Sequence, residues 1–291
     1  MIEIKNMSKI YPNGKGVFNI NFTIKDGEVF GFLGPNGAGK TTTIRQLLGF
    51  TNATSGECLI NGLDTRKESS QIQKFLGYLP GEIAFFENMT GLEFLNFLTK
   101  LRGNESNLME ELIEYYELDA NGKINRMSKG MKQKLGLVAA FMHDPKVLIL
   151  DEPTSGLDPL MQRKFINHIN EEKKKGKTIL MSSHMFDEVD RTCSRAAIIK
   201  DGKIVAIDDI CSLKIHANKR YLVTFASNND LNIFKQSNLK YNIVGDMKIE
   251  VLITNELNKF LSILSKCNVL NLDASEQSLE QIFIKYYGKD E

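Results

Sequence analysis

The sequence predicts an α/β protein: a core of largely parallel strands alternating with helices, followed by a smaller α+β module. Three observations carry this. A strand, a glycine-rich loop and a helix follow one another over residues 29–48. Apolar strands and amphipathic helices then alternate to about residue 207, the order a parallel sheet with crossover helices requires. After about His216 the order becomes strand, helix, strand, strand, helix, strand, a split βαβ pattern of ferredoxin-like type.

Each element has its own signal. Phe18, Ile20, Phe22 and Ile24 alternate with polar or small residues, which is a half-buried strand closed by the turn residues Asp26 and Gly27. Val29–Leu33 is a continuous apolar strand, and residues 42–48 read as a helix. The next strand runs through Leu76, Tyr78 and Leu79. Thr90 and Glu93 form a capping box, and Leu92, Leu95 and Leu98 follow at helical spacing. Helical character continues through Leu112 and Tyr116, and a long helix starts near Ser128. A strand at 147–150 precedes a helix at about 159–174 and a strand at 178–182. Residues 196–200 and 203–207 flank Asp201 and Gly202 as a hairpin. In the second module, strands are expected at 220–225, 241–244, 248–253 and 269–272, with helices at 231–235 and 256–264. A last helix is expected at 278–287, capped by Ser278 with Gln281 answering.

Composition narrows the class. The 291 residues are 42% hydrophobic and 25% charged, ordinary for a globular protein. The net charge of +1 gives no sign of a nucleic-acid partner. The four cysteines form no C-x-x-C pair, so neither a zinc site nor a disulfide framework is indicated. The first residues lack the pattern of a signal peptide. No apolar run approaches the roughly 18 residues of a membrane span, so spans for work at a membrane are expected from another chain.

The chemistry starts at Gly34, Pro35, Asn36, Gly37, Ala38, Gly39, Lys40, Thr41 and Thr42, a match to G-x-x-x-x-G-K-[ST]. Glycines let the backbone fold into a nest of N–H groups around an anion, and the following helix adds its positive end. Lys40 is expected to reach the β/γ-phosphates and the Thr41 hydroxyl to coordinate Mg²⁺. The strand at 147–150 runs into two carboxylates. Asp151 suits an Mg²⁺ shell and Glu152 an attacking water, although a strand ending in an acidic turn has the same pattern. Ser128 is a good N-cap, and with the Gly130 N–H it offers a second anion site. An ordinary capped helix with a basic face reads the same way. His184 follows a core strand, where open α/β sheets place ligands, although a lone histidine is more often a surface residue.

In this order and spacing, residues 1–215 resemble the ATPase subunits of ABC transporters. Residues 34–42 correspond to Walker A and 147–152 to Walker B. Met127, Ser128, Lys129, Gly130 and Met131 resemble the signature segment, usually Leu-Ser-Gly-Gly-Gln. Ser155, Gly156, Leu157 and Asp158 resemble the D-loop, His184 the switch histidine and Tyr11 the adenine-stacking aromatic. Two departures stand out. The signature ends in Met131 rather than Gln, and Gly81 occupies the place of the Q-loop glutamine that meets Mg²⁺, with Glu82 beside it as an alternative oxygen donor. Both departures, and the tail, resemble ATPases paired with type 2 export permeases of the bacitracin, lantibiotic and multidrug type.

The resemblance implies an ABC ATPase domain over 1–215, with a helical signature subdomain at about 82–140, and an accessory α+β module over 216–291. It implies ATP and Mg²⁺ as cofactors. Lys40, Glu152 and His184 would be catalytic, and Thr41, Asp151 and Glu82 metal-binding. Tyr11, residues 34–42, Ser128, Gly130 and Asp158 would contact nucleotide. The implied partners are a polytopic membrane permease and a second ATPase subunit in a head-to-tail homodimer, with no nucleic acid. The implied location is the cytoplasm, on the inner face of the membrane. The alternative is a soluble ABC ATPase with a regulatory or translation-related role.

Overall fold

The structure, a computed structural model, describes residues 1–86, 88–103, 108–210, 212, 219–253 and 256–275. The helix expected at 278–287 lies outside the described residues. The chain divides into two compact units between Asp209 and Ile210.

Among its described residues the first unit contains ten strands: β1 (Ile2–Ile10), β2 (Gly16–Ile24), β3 (Val29–Leu33), β4 (Ser55–Ile60), β5 (Leu63–Asp64), β6 (Leu76–Leu79), β7 (Val147–Asp151), β8 (Thr178–Ser183), β9 (Arg195–Lys200) and β10 (Lys203–Asp209). Six form one sheet in the order β10-β9-β3-β8-β7-β6. Every pairing in it is parallel except the β9–β10 hairpin. All residues of β3, β7 and β8 are buried, which is why their central residues are apolar in succession rather than alternating.

A separate antiparallel sheet has the order β2-β1-β4-β5. The sequence announced only β2. In β1 the buried residues are Ile2, Ile4 and Met7, a spacing of two and then three. The register with β2 shifts between Ile4 and Met7, where Asn6 adopts φ +49°. A bulge there inserts one residue and cancels the period-two signal. The two sheets share one core, in which Phe22 stacks on Phe30 with ring centroids 5.2 Å apart.

The helices that place the site are well signalled. Thr90 and Glu93 make the expected capping box on Gly91–Arg102. Ser128 caps Lys129–Phe141 by accepting from the Met131 N–H at 3.2 Å. Asp158 caps Pro159–Lys174, accepting from the Leu160 and Met161 N–H groups, with Pro159 at the first helical position.

The second unit contains β11 (Lys219–Phe225), β12 (Tyr241–Gly245), β13 (Lys248–Ile253) and β14 (Val269–Ser275), with helices Asn228–Lys235 and Leu257–Leu264. The sheet order is β12-β13-β11-β14, antiparallel throughout. Val223, Phe225, Ile249 and Val251 from the strands pack on Phe234 and Phe260 from the two helices.

Candidate functional site: a phosphate loop facing a carboxylate pair

β3 delivers the chain into the loop, and helix Lys40–Leu47 carries it away. The loop needs its glycines. Gly37 and Gly39 have φ of +83° and +111°, and a Cβ at Gly39 would stand 2.5 Å from Val17 Cγ1. Lys40 is 5% exposed. Its Nζ donates to the carbonyls of Gly34 at 2.7 Å and Pro35 at 3.3 Å, so the ammonium is held at the mouth of the nest. It also lies 3.0 Å from Glu152 Oε1.

The carboxylates come from the end of β7, in register with β8. Asp151 is fully buried. It accepts from the Thr41 hydroxyl at 2.8 Å through Oδ2 and from Ser182 Oγ through Oδ1. Glu152 turns the chain with φ +52°. Its N–H donates to Ser182 Oγ at 3.1 Å, and its Oε2 meets His184 Nδ1. Carboxylate, imidazole and ammonium therefore form one connected row: His184, Glu152, Lys40. Gln133 supports the row from behind, donating to the carbonyl of Pro153 at 2.7 Å.

These groups line an open cleft of about 600 Å³ that includes Pro35, Asn36, Gly37, Gly39, Lys40, Thr41, Thr42, Glu82, Asp151, Glu152 and His184. Gly34 and the buried Ala38 form the loop behind it. Tyr11, Ser128, Gly130 and Asp158 are not on its wall. Tyr11 packs under Lys9, whose ammonium is 5.5 Å from the ring centroid. Arg45, Tyr78, Lys129 and Ser155 also line the cleft. Sequence reading did not single these four out for a role in it. Arg45 and Tyr78 lie on regular elements whose residue types carry no motif. Burial and the nearby Asp151 push the Tyr78 phenol up to about 12, so it stays neutral.

Position 81 faces the acidic pair: a Cβ on Gly81 would lie 3.3 Å from Asp151 Oδ2. The place where the resemblance puts a glutamine thus does point at the carboxylate, and here it is left open. The exposed Glu82 sits next to it on the wall. Thr41 Oγ1 and Asp151 Oδ2 are two adjacent hard oxygens. Such a pair fits Mg²⁺, which takes one or two protein oxygens and completes its octahedron from phosphate and water.

The comparisons with known proteins agree on one family. The profile described as ABC transporter matches residues 17–155. The linearmycin resistance ATP-binding protein LnrL of Bacillus subtilis is 32% identical, covering 99% of both chains. The bacitracin transport ATP-binding protein BcrA of Bacillus licheniformis is 34% identical over 99% of this chain and 97% of its own. Among solved structures, the ATP-binding subunit of an ABC transporter superposes with a TM-score of 0.68 at 29% identity, covering 74% of this chain and 92% of its own. The dimeric bacterial cassette MJ0796 gives 0.67 at 26%, covering 72% of this chain and 99% of its own. The chain belongs to the ATP-binding subunits of ABC transporters and is an ATPase of that family.

Proposed function

We propose that this chain binds and hydrolyses ATP to power export through a separate polytopic membrane permease, as one half of a homodimer on the cytoplasmic face of the membrane. The observation that supports export best is the end-to-end likeness to LnrL and BcrA, which extends through the C-terminal unit. No helix among the described residues is long and apolar enough to cross a membrane, which fits a division of labour with a membrane partner.

The chain's own groups divide the work. The loop amides and Lys40 hold the phosphates. Thr41 and Asp151 would hold Mg²⁺, with Glu82 available beside them, and the ion would supply charge neutralisation at the phosphate oxygens. Ser182 fixes Asp151 so that its Oδ2 stays turned toward Thr41. Glu152 orients a water and takes its proton as the water oxygen bonds to the γ-phosphorus. The bond to the bridging oxygen breaks and its electron pair leaves with ADP. His184 Nδ1 holds Glu152, leaving Nε2 for the γ-phosphate. Positioning and electrostatics carry such transfers.

Ser128 and Gly130 lie off the wall of their own cleft, which supports a head-to-tail dimer in which they close the partner's nucleotide. MJ0796 was solved as a dimer. Tyr11 would stack on adenine and Asp158 would stand at the dimer contact. In the C-terminal unit, the strand order β12-β13-β11-β14 supports a ferredoxin-like accessory module: in chain order it is second, third, first, fourth.

The test is a pull-down of the tagged full chain from gently solubilised membranes. A stoichiometric polytopic partner is expected. A soluble dimer bound to ribosomes, or to nothing, would replace export with a regulatory or translation-related role.

A further inference from the structure

Glu188 is a carboxyl that the ATPase chemistry above does not use. It sits in the first turn of helix Phe186–Thr192 and is 2% exposed. Its Oε2 accepts from Ser183 Oγ at 2.6 Å. The same hydroxyl accepts from the Met185 N–H at 2.9 Å. Ser183 and Met185 are the two chain neighbours of His184, so this one hydroxyl clamps the turn that carries the imidazole, and Glu188 anchors the clamp. On the other side of His184 stands Glu152.

Among the described residues no hydrogen bond of normal geometry reaches Glu188 Oε1, and no cation forms an ion pair with the carboxyl. An ionised carboxylate in such a place is costly, and the group lowers that cost by keeping its proton. The charged and titratable groups around it do not reverse this. Glu152, from the end of β7, adds repulsion. The Cys193 thiol, at the far end of the helix, is itself buried and neutral, pushed up to about 12. Lys173, from the helix packed alongside, spends its ammonium on the Thr192 carbonyl at 3.2 Å. On its own helix, Asp187 and Arg191 pair with each other at 3.2 Å, and Asp190 adds no positive charge. Burial therefore carries the Glu188 carboxyl up to about 7, with the Ser183 and Thr154 hydroxyls pulling the other way.

We propose that Glu188 is a positioning residue of the hydrolytic site, holding His184 against Glu152 through the Ser183 hydroxyl. The inference rests on His184 and Glu152 acting as described under Proposed function. The consequence is a turnover that depends on a group that never touches nucleotide.

The experiment uses the purified full chain and follows kcat and KM for ATP in the native protein and in Glu188→Gln, Glu188→Ala, Ser183→Ala and His184→Gln. Glu188→Gln, which keeps a neutral acceptor for the Ser183 hydroxyl, should restore most of the kcat that Glu188→Ala loses. Glu188→Ala should lower kcat about tenfold with little change in ATP affinity, since the phosphate loop is untouched. If the alanine variant does not fold, Ser183→Ala, which removes the clamping hydroxyl itself, decides by the same split between kcat and KM. Native-like kcat in Glu188→Ala or Ser183→Ala, or a loss in Glu188→Gln as large as in Glu188→Ala, would overturn the proposal. Native-like turnover in His184→Gln would instead overturn the reading of the site on which it rests.

Discussion

Lys40 Nζ lies 3.0 Å from Glu152 Oε1, with both side chains largely withdrawn from solvent. The two charges thus neutralise each other across the cleft. On the proposed reading, an incoming triphosphate would draw Lys40 away from Glu152 and release Glu152 toward a water. Nucleotide binding and readiness for hydrolysis would then be coupled through this one ion pair.

Lys40→Ala removes the cation at the mouth of the nest and leaves Glu152 without it. ATP affinity, measured by fluorescence titration, should fall by at least tenfold, or about 1.4 kcal/mol. Unchanged affinity would remove the loop from its role.

Asp151→Asn keeps the shape of the side chain and its bond from Ser182 but removes the charge beside Thr41. Turnover should fall on the order of a hundredfold at low Mg²⁺. The half-saturating Mg²⁺ concentration should rise, because one of the ion's two proposed protein oxygens is no longer anionic. A titration of activity against Mg²⁺ reads both effects.

Gly77→Ala tests the packing that holds the acidic strand. Gly77 pairs with Leu148 of β7, and a Cβ there would lie 2.3 Å from the Ala140 carbonyl oxygen and 2.7 Å from Leu148 Cδ2. The backbone must move to admit it. The expected loss is about 1–3 kcal/mol, seen as a lower Tm for the first unit.

Acid should weaken the fold before most of its carboxylates titrate. Burial pushes His143 and His168 down to about 4; His168 Nδ1 bonds the Tyr116 hydroxyl at 2.6 Å. In the unfolded chain a histidine takes up its proton near 6.5. The unfolded chain therefore binds more protons between those values. The contribution of both residues is complete above about pH 6.5 and is lost as pH falls toward 4. Thermal melts from about pH 7.5 down to about pH 4.5 should show a falling Tm, with a shallower slope in His143→Gln.

The parts of this molecule that could be read in its sequence were those whose signal is local. β3 and β7 are fully buried in a parallel sheet, so they read as apolar runs up to the residues of the site. Thr90 and Ser128 announce their helices because an orphan N–H needs a nearby oxygen. What could not be read depends on partners distant in the chain. The bulge at Asn6 hid β1. β4 buries only Cys58 and Ile60 of its six residues, too few to show a period. Ser182 and Gln133 are ordinary residues until the fold sets one against Asp151 and the other behind Glu152. Gly81 was legible as a departure from the resemblance, but only the structure shows that a Cβ there would lie 3.3 Å from Asp151 Oδ2.

The most direct test of the whole account is ATP hydrolysis by Glu152→Gln, with ATP binding measured on the same sample. Loss of the carboxylate removes both the base and the ion-pair partner of Lys40. The variant should therefore bind ATP at least as tightly as the native chain, turn it over on the order of a hundredfold more slowly, and accumulate as a nucleotide-bound dimer. Near-native turnover, or ATP binding weakened along with turnover, would contradict it.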